Sequence, residues 1–442
     1  MPRGLGTGAP PAGRCRGVNP RRPRRCPRGA PGLSNRTNYL TYVSRHVYVH
    51  VPFCVRRCTY CDFSIAVRRR IPAQEYLAAV LREVALIRAA DPAPAAGSLR
   101  ELGSGNEAPP SVVEPEGGLQ TLYFGGGTPS LLPVDALAAL LTSLREAFHE
   151  RSSRDHLEVT LEANPEDVTG ESARAWAVAG VNRVSLGAQS FDDAVLKWMH
   201  RSHDGARIGE AVDALRHAGI HNISLDLIFG LPAELSRDWR RDLERAVALD
   251  PAHLSLYGLA VEERTPLARW ISRGAVRAAG DERYAEEYLL AHAHLATCGY
   301  RFYEVSNAAR EGFRSRHNSA YWSGRAYLGL GPAAHSYDGR ARRWNLAAWE
   351  AYRRAVSEDR RPAEAEETLT DEQRHLERLY LGLRTDAGVP LAALCRPLPP
   401  SAARCVARGW VHVTKERLVC TPEGWLRLDG IVRDLTDGSI AA

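Results

Sequence analysis

The repeated order of strand-like and helix-like segments constrains the fold of this chain more than any other feature. Between residues 121 and 259, short apolar runs of strand length alternate with helical stretches. The runs cover residues 121–124, 157–162, 183–187, 223–229 and 254–259, and the helical stretches cover residues 133–150, 170–180, 204–218 and 236–249. This repetition predicts an α/β fold in which helices cover a parallel sheet. The pattern alone leaves open whether the sheet is doubly wound or curved into a barrel.

The region before this repeat has three parts. Residues 1–46 contain ten arginines and no acidic residue, which leaves a net charge of −4 for the rest of a chain whose total is +6. Residues 1–45 are therefore predicted to be a disordered Arg/Pro-rich leader. Residues 46–51 alternate as a strand does, and residues 73–90 have helical periodicity. Residues 91–119, rich in Pro, Gly, Ala and Ser, are predicted to form a surface insertion.

Charge and hydropathy restrict the class of partner. Because the chain beyond the leader is mildly acidic, we expect no nucleic-acid partner. No apolar run is long enough to span a bilayer, so no transmembrane segment is expected, and peripheral membrane association is left open. Nine cysteines, odd in number and mostly scattered, do not indicate a disulfide framework. Three of them are clustered, which predicts metal binding in a reducing compartment and hence a cytoplasmic protein.

The clustered cysteines are Cys54, Cys58 and Cys61, spaced C-x3-C-x2-C directly after the predicted strand 46–51. Thiolates select iron–sulfur clusters, zinc or copper(I). A structural zinc site needs four protein ligands, whereas here three lie in one loop and no second CxxC follows. Three thiolates on a [4Fe–4S] cluster leave one iron free to bind a substrate. An iron–sulfur cluster is therefore favoured.

Polar and glycine residues follow several of the predicted strands, where ligands bind in parallel α/β sheets. Gly126, Gly127 and Thr128 lie in a GGGTP segment after the run 121–124, where glycine lets the backbone approach a ligand closely. Without further context, this segment is equally well explained as a tight strand–helix turn. Glu162 ends the next run, where an acid can bind a ribose hydroxyl or simply be a solvated cap.

The segment YVHVPFC with the cysteine loop resembles the radical S-adenosylmethionine (SAM) superfamily. The resemblance implies a partial parallel (β/α) barrel, a [4Fe–4S] cluster on the three cysteines, and SAM bound at the open iron. It also implies an electron donor, because reductive cleavage of SAM gives a 5′-deoxyadenosyl radical. Tyr60 is expected beside the adenine, and His50 is either a supporting residue or a core histidine. The SAM-binding residues implied are Tyr48, Tyr60, Gly126, Gly127, Thr128, Glu162, Gln189, Arg201, Asp226 and Ala260.

Four further segments, SLGAQSF, DLIFGLP, SLYGLAVEERTPL and GLGPAAHSY, resemble oxygen-independent coproporphyrinogen III oxidases and the related HemW-type haem chaperones. Two features separate the branches. The oxidases carry a fourth cysteine two positions after the third, where this chain has Phe63. Residues 316–322, RHNSAYW, resemble an HNxxYW motif tied to haem binding in the chaperones.

The HNxxYW segment implies that His317 is the axial ligand of haem iron, because imidazole is a common axial ligand. Tyr321 and Trp322 would cover the apolar macrocycle. The alternative is that His317 and Asn318 only fix a loop by hydrogen bonding. His203 and His335 are rival histidines.

The predicted function is a haem chaperone that binds haem as cargo and delivers it to recipient haem proteins. The alternative is an oxygen-independent coproporphyrinogen III oxidase, which gives protoporphyrinogen IX by radical decarboxylation.

Beyond the barrel, we expect a small C-terminal winged-helix-like domain. A helix over 371–384 is followed by short helices, two strands at 410–414 and 417–420, and a final helix. The predicted division is a leader at 1–45, a radical SAM barrel at 46–290, an extension with HNxxYW at 291–365, and the C-terminal domain at 366–442.

Overall fold

The computed structural model describes residues 45–90, 118–148, 157–394 and 400–436. Nearly all of the predicted leader and insertion lies outside these residues. The described strands are β1 (His46–Val51), β2 (Phe53–Cys54), β3 (Ala66–Val67), β4 (Thr121–Gly126), β5 (Glu158–Ala163), β6 (Arg183–Gln189), β7 (Asn222–Phe229), β8 (His253–Gly258), β9 (Arg301–Glu304), β10 (Asn307–Ala309), β11 (Leu328–Leu330), β12 (His335–Tyr337), β13 (Ala341–Asn345), β14 (Ala363–Thr368), β15 (Val389–Pro390), β16 (Val411–Val413) and β17 (Arg417–Cys420).

Most of the described α-helices cover the outer face of the barrel sheet or build the C-terminal part of the chain. They are α1 (Ala73–Ala90), α2 (Val134–Ala147), α3 (Gly170–Ala179), α4 (Asp193–Trp198), α5 (Gly205–His217), α6 (Trp239–Ala248), α7 (Pro266–Ser272), α8 (Asp281–Thr297), α9 (Arg316–Trp322), α10 (Trp349–Ser357), α11 (Asp371–Leu383), α12 (Pro400–Ala407), α13 (Pro422–Trp425) and α14 (Leu428–Thr436).

The central sheet has nine strands in the order β11-β1-β4-β5-β6-β7-β8-β10-β9. All pairings from β11 to β8 are parallel. β10 pairs antiparallel with both β8 and β9. The sheet keeps two edges, β11 and β9, so its parallel strands form a partial barrel. The predicted fold class is thus confirmed.

The two faces of the parallel strands differ in chemistry. On β1, Val47, Val49 and Val51 are fully buried in the main apolar core, which they share with the surrounding helices. Since successive strand residues point to opposite faces, His46 and Tyr48 lie on the other, inner face. Thr121, Glu158, Arg183, Ser224 and His253 also lie there and are buried. The barrel therefore has an apolar outer layer and a polar interior.

A buried carboxylate attaches the extension to the barrel. Glu83 of α1 accepts hydrogen bonds from the backbone N–H of Gly331 at 2.8 Å, from Asn345 Nδ2 at 2.6 Å and from the Tyr352 hydroxyl at 2.6 Å. Burial raises the pKa of Glu83 to about 7. Gly331 directly follows β11 and has a φ of 93°, a conformation that favours glycine. This contact fixes β11 at the open edge of the sheet.

The division into domains stays a prediction, but two features bear on its boundaries. Helix α8 runs from Asp281 to Thr297, so it continues through the predicted boundary at residue 290. The C-terminal part combines α11–α14 with a three-stranded sheet in the order β15-β17-β16, an arrangement of the winged-helix type. The Trp425 indole donates to the Leu383 carbonyl at 3.0 Å, joining α13 to the end of α11. Among the described residues, we find no helix long and apolar enough to cross a membrane.

Candidate cofactor site and the HNxxYW helix

The cysteine loop is held at both of its ends. Cys54 ends β2, which pairs in parallel with β3 beyond the loop. Inside the loop, the Thr59 carbonyl accepts from the Leu267 N–H at 3.0 Å, and the Cys61 N–H donates to the Cys58 carbonyl at 3.4 Å. Cys54 is buried, Cys58 and Cys61 are partly exposed, and all three are free thiols. The three predicted ligands therefore belong to one ordered loop at the carboxyl end of β1.

The spacing of the thiols does not suit a single ion. Among the described residues, no three His, Cys, Asp or Glu side chains converge closely enough to hold one metal ion. A four-iron cluster instead takes each thiolate on a different iron, so its ligands stand further apart. A Cβ on Gly127 would lie 3.0 Å from Cys54 Sγ and 2.7 Å from the Phe53 carbonyl oxygen, so this position requires glycine. The donor set and the clearance beside it fit an iron–sulfur cluster.

Polar groups contact two of the sulfur atoms. The Thr128 hydroxyl donates to Cys54 Sγ at 3.3 Å, and Arg201 Nη1 donates to Cys58 Sγ at 3.7 Å. Burial raises the pKa of Cys54, and burial raises that of Cys61 to about 12. These thiols are therefore protonated without metal, and coordination to a metal ion removes the proton.

The glycine segment after β4 is built for close approach. Gly126 has a φ of 113°, and a Cβ there would lie 2.6 Å from the His50 ring. His50 is held in place because its Nδ1 hydrogen-bonds with the Tyr48 hydroxyl at 3.1 Å and its Nε2 with the Ser64 carbonyl at 3.2 Å. Burial lowers the pKa of His50 to about 4, so the ring is neutral. The two side chains thus support the glycine segment.

Two half-buried acids lie on the inner face near the carboxyl ends of their strands. Glu162 accepts from the Tyr123 hydroxyl at 2.8 Å and from the Gly126 N–H at 3.0 Å. Asp226 accepts from the Ser185 hydroxyl at 2.9 Å. Burial raises the pKa of Glu162 to about 7 and that of Asp226 to about 6. Glu162 is therefore no solvated cap, because it ties β4 to β5.

Arg201 is positioned by a group that the sequence did not indicate. Its Nη2 donates to Asn164 Oδ1 at 2.5 Å and to the Gly187 carbonyl at 2.9 Å. Gln189, at the end of β6, has a φ of 66°, which is uncommon for a residue other than glycine and marks a constrained position. Asn164 follows β5 directly, so its place just beyond a predicted strand is the signal that could have found it.

The structure also shows the contacts or the burial of three other predicted residues. Tyr60 packs against a small apolar cluster that includes Val195, Met199 and Ile228, so its ring forms part of an apolar wall. Ala260 is half-buried two residues after β8. The rival histidine His203 is committed elsewhere, since its Nδ1 lies 3.0 Å from Glu166 Oε2 and its Nε2 lies 3.2 Å from the Ala188 carbonyl.

The HNxxYW segment forms helix α9, which lies on the inner face at the amino end of the barrel. Glu158 accepts from the backbone N–H groups of Arg316 and His317 at 3.0 and 2.9 Å. A carboxylate at a helix N-terminus satisfies N–H groups that have no partner within the helix. The Ser315 hydroxyl accepts from the Asn318 N–H at 3.3 Å as the N-cap. The helix is thereby fixed to β5.

His317 is fully enclosed and both of its ring nitrogens are hydrogen-bonded. Nδ1 lies 2.7 Å from Thr121 Oγ1, and Nε2 lies 2.8 Å from the Tyr321 hydroxyl. Burial keeps the pKa of His317 well below its ordinary value, so the ring is neutral, as an iron ligand must be. In this conformation, His317 would have to give up the bond to Tyr321 before Nε2 could bind iron. The alternative that His317 and Asn318 fix the local structure has direct geometric support.

Trp322 connects the same helix to the C-terminal part of the chain. The guanidinium carbon of Arg384 lies 4.1 Å from the centre of its ring, a cation–π contact. Arg384 also forms an ion pair with Glu304 at 2.6 Å. The rival His335 has its ring stacked with Trp344, with 5.9 Å between centroids.

His46 is a residue of this region that the sequence did not single out. Its Nδ1 hydrogen-bonds with Thr121 Oγ1 at 2.9 Å, on the same hydroxyl that His317 contacts. Its Nε2 is buried and has no hydrogen-bond partner. Burial lowers the pKa of His46 to about 4. The sequence signal that could have found His46 is its position on an alternating strand, on the face opposite to the valines.

Comparison with known proteins gives one consistent result. Residues 112–246 match the family model of the Radical SAM superfamily, and residues 369–427 match that of the HemN C-terminal domain. The heme chaperone HemW of Mycobacterium tuberculosis is 36% identical over 392 residues, which cover 88% of this chain and 94% of the relative. Its Bacillus subtilis counterpart is 31% identical over 390 residues, covering 86% and 96%. Coproporphyrinogen III oxidase (HemN) from Escherichia coli has the same fold, with a TM-score of 0.70, 20% identity and coverage of 90% and 92%.

A partial parallel barrel whose strands end beside a three-cysteine loop defines the class of protein, which is that of the radical SAM proteins. The C-terminal domain narrows this class to proteins with the HemN architecture. Because its identity with two HemW proteins extends over almost their full length, the chain belongs to the HemW family.

Proposed function

We propose that this protein is a haem chaperone that binds haem and delivers it to haem-dependent proteins. The observation that carries the proposal is the identity of 36% with a heme chaperone, spread over 94% of that relative. Phe63 adds to it, because this side chain is 42% exposed beside the cysteine loop, where the oxidases have a fourth cysteine. The oxidase shares the fold, but its resemblance in sequence is much lower, at 20% identity.

Cys54, Cys58 and Cys61 would hold a [4Fe–4S] cluster, with Thr128 and Arg201 donating hydrogen bonds to two of the sulfur atoms. The residues that we propose to bind SAM are Tyr48 on β1, Tyr60 in the cysteine loop and a set near or after the carboxyl ends of the other strands, namely Gly126, Gly127, Thr128, Glu162, Gln189, Arg201, Asp226 and Ala260. Bound together, the cluster and SAM supply one-electron chemistry that cleaves the sulfonium.

For haem, we propose His317 as the axial ligand, with Tyr321 and Trp322 covering the macrocycle. The hydrogen bond between the Tyr321 hydroxyl and Nε2 of His317 occupies the nitrogen that would bind iron. Rotation of the Tyr321 side chain would free Nε2 without moving helix α9, whose N-terminus is bound to Glu158. This arrangement suits reversible binding, which a chaperone needs more than a storage protein does.

We propose that the electron donor for the cluster is an acidic protein. Five arginines between residues 54 and 70 are exposed, Arg56, Arg57, Arg68, Arg69 and Arg70, whereas Asp62 is the single acid in this stretch. Of these, Arg68 forms an ion pair with Glu350 at 3.5 Å. Complementary charge steers such encounters and aligns the partners. Thiolate ligands require a reducing compartment, so we place the protein in the cytoplasm. Peripheral membrane association stays a prediction.

The test is a haem titration and a porphyrin assay on one anaerobically reconstituted sample. We expect stoichiometric haem binding and no conversion of coproporphyrinogen III to protoporphyrinogen IX. Conversion with release of methionine and 5′-deoxyadenosine, together with no haem binding, would assign the chain to the oxidases instead.

A further inference from the structure

One layer of the barrel interior contains polar groups without partners. Thr160 of β5, Arg183 of β6 and Asn222 of β7 are aligned in register across three neighbouring strands. Aligned residues of parallel strands point to the same face, and the alternate residues Leu161 and Val184 are buried in the outer apolar core. The three polar side chains therefore point into the barrel.

Arg183 is the charged member of this layer, and only 1% of its surface is exposed. Its Nε and Nη1 are buried without a hydrogen-bond partner, as are Thr160 Oγ1 and Asn222 Oδ1. No ion pair involving Arg183 occurs in the part of the chain that the structure describes. An unpaired buried charge is costly, and such groups are normally paired or hydrogen-bonded.

Other buried arginines of this protein have the partner that Arg183 lacks. Arg237 binds Glu287 at 2.7 Å and lies 3.6 Å from Asp242, and Arg384 binds Glu304 at 2.6 Å. Three acids face the barrel interior near Arg183, namely Glu158, Glu162 and Asp226. Arg183 attracts Glu162 and Asp226 electrostatically, but all three carboxylates accept their hydrogen bonds from other donors. No carboxylate of the described residues therefore forms a hydrogen bond with Nε or Nη1 of Arg183.

An aromatic wall flanks the same layer. Tyr48 and Tyr123 stack with 5.9 Å between ring centroids, and the His317 ring lies 5.1 Å from that of Tyr123. Tyr123 is aligned in register with Thr160, so the wall and Arg183 lie at one level of the barrel. Arg183 begins β6 and Gln189 ends it, which puts them roughly 20 Å apart at about 3.3 Å per residue. Arg183 therefore lies at the opposite end of β6 from Gln189, while Tyr48 of the aromatic wall is also one of the residues proposed to bind SAM.

We propose that Arg183 binds a carboxylate of a flat, conjugated ligand in the barrel interior, namely a propionate of haem. The identity of the ligand rests on the proposed function, whereas the carboxylate site rests on the unpaired guanidinium. Guanidinium and carboxylate match as a two-bond fork, and such charge-assisted pairs are stronger than neutral hydrogen bonds. Thr160 and Asn222 complete a polar layer around this group.

The experiment compares haem with haem dimethyl ester, which has no free carboxylate, on anaerobically reconstituted protein. We expect the wild type to bind haem roughly tenfold to a hundredfold more tightly than the ester. Arg183→Met should weaken haem binding by the same factor and lose the discrimination, and Arg183→Lys should keep part of it. Arg237→Met, which removes a buried arginine with protein partners, should leave the discrimination unchanged.

Thermal unfolding without ligand provides a second readout. Arg183→Met should be no less stable than the wild type, because it removes an unpaired buried charge. Arg237→Met should be less stable, because it leaves Glu287 unpaired. Wild-type haem affinity with retained ester discrimination in Arg183→Met, or a large loss of its ligand-free stability, would overturn the proposal while leaving the chaperone function intact. Failure of the wild type to bind haem at all would overturn both.

Discussion

If His317 binds haem iron as proposed, its Nε2 must first give up the hydrogen bond with Tyr321, and removing the Tyr321 hydroxyl isolates this bond. Tyr321→Phe deletes the hydroxyl that lies 2.8 Å from Nε2 of His317. The Tyr321 ring also packs edge-on against Tyr327, with 4.5 Å between centroids, and a phenylalanine ring keeps this contact. The substitution therefore frees the imidazole with little change in packing.

The expected gain in affinity follows from the strength of this hydrogen bond. A neutral bond of this kind contributes about 0.5–1.5 kcal/mol net. Because haem binding no longer has to offset it, Tyr321→Phe should bind haem about twofold to tenfold more tightly than the wild type. The ligand-free variant should lose a similar free energy of unfolding, because Nε2 is left buried without a partner.

The assay is an anaerobic absorbance titration with haem on the wild type, Tyr321→Phe and His317→Ala. His317→Ala should bind haem more weakly. The matched control is Tyr337→Phe, which removes a hydroxyl that donates to the Gly339 carbonyl at 2.9 Å in the same extension and should leave affinity unchanged. Weaker binding in Tyr321→Phe with unchanged binding in His317→Ala would refute His317 as the ligand. His46, whose Nε2 has no partner, would then be the next candidate.

Three further predictions concern the metal site, the glycine segment and the attachment of the extension. Cys58→Ala should lose the full four-iron cluster, which iron and sulfide analysis after reconstitution will show; a complete cluster would contradict the assignment. Gly126→Ala should destabilise the fold by about 1–3 kcal/mol or more in thermal melts, since strain at positive φ adds to a clash with His50. The control is Gly219→Ala, because Gly219 also has a positive φ, 86°, but an added Cβ there meets no atom within 4 Å. This variant therefore measures the backbone strain alone, and an equal loss of stability in both variants would exclude a contribution from the clash with His50. The pKa of Glu83 is about 7 in the folded chain against 4.5 in the unfolded chain. The stabilisation of the fold that follows from this shift is therefore fully present below pH 4.5 and is lost as the pH rises through 7. The stability difference between the wild type and Glu83→Gln should fall across this range, and a flat difference would contradict the shifted pKa.

Periodicity identified the central elements because their burial is regular. Strand His46–Val51 and helix Ala73–Ala90 have the predicted bounds, and the strands from β4 to β8 differ from prediction by one or two residues. The strands at the two ends of the sheet order were not predicted. β9 has four residues and β10 and β11 have three each, which is too short for a pattern, and their pairing depends on contacts between distant parts of the chain.

The site was predictable where the chemistry is local. The glycines after β4 and the cysteine spacing both constrain the backbone around them, and the structure places them together. Asn164, His46 and Arg183 were missed because their importance depends on the residues opposite them. Whether the nitrogens of His317 are free likewise depends on Thr121, which is 196 positions away in the chain.

The most direct test of the chaperone function is transfer of haem. Anaerobically reconstituted protein, loaded with one haem, is mixed with an excess of an apo haem protein, and the absorbance of the recipient is followed against free haem at equal concentration. The proposed function predicts that haem moves to the recipient and that Tyr321→Phe, which holds haem more tightly, releases it more slowly. Haem that stays bound to the chain in the presence of the recipient, or a protein that never takes up haem, would contradict it.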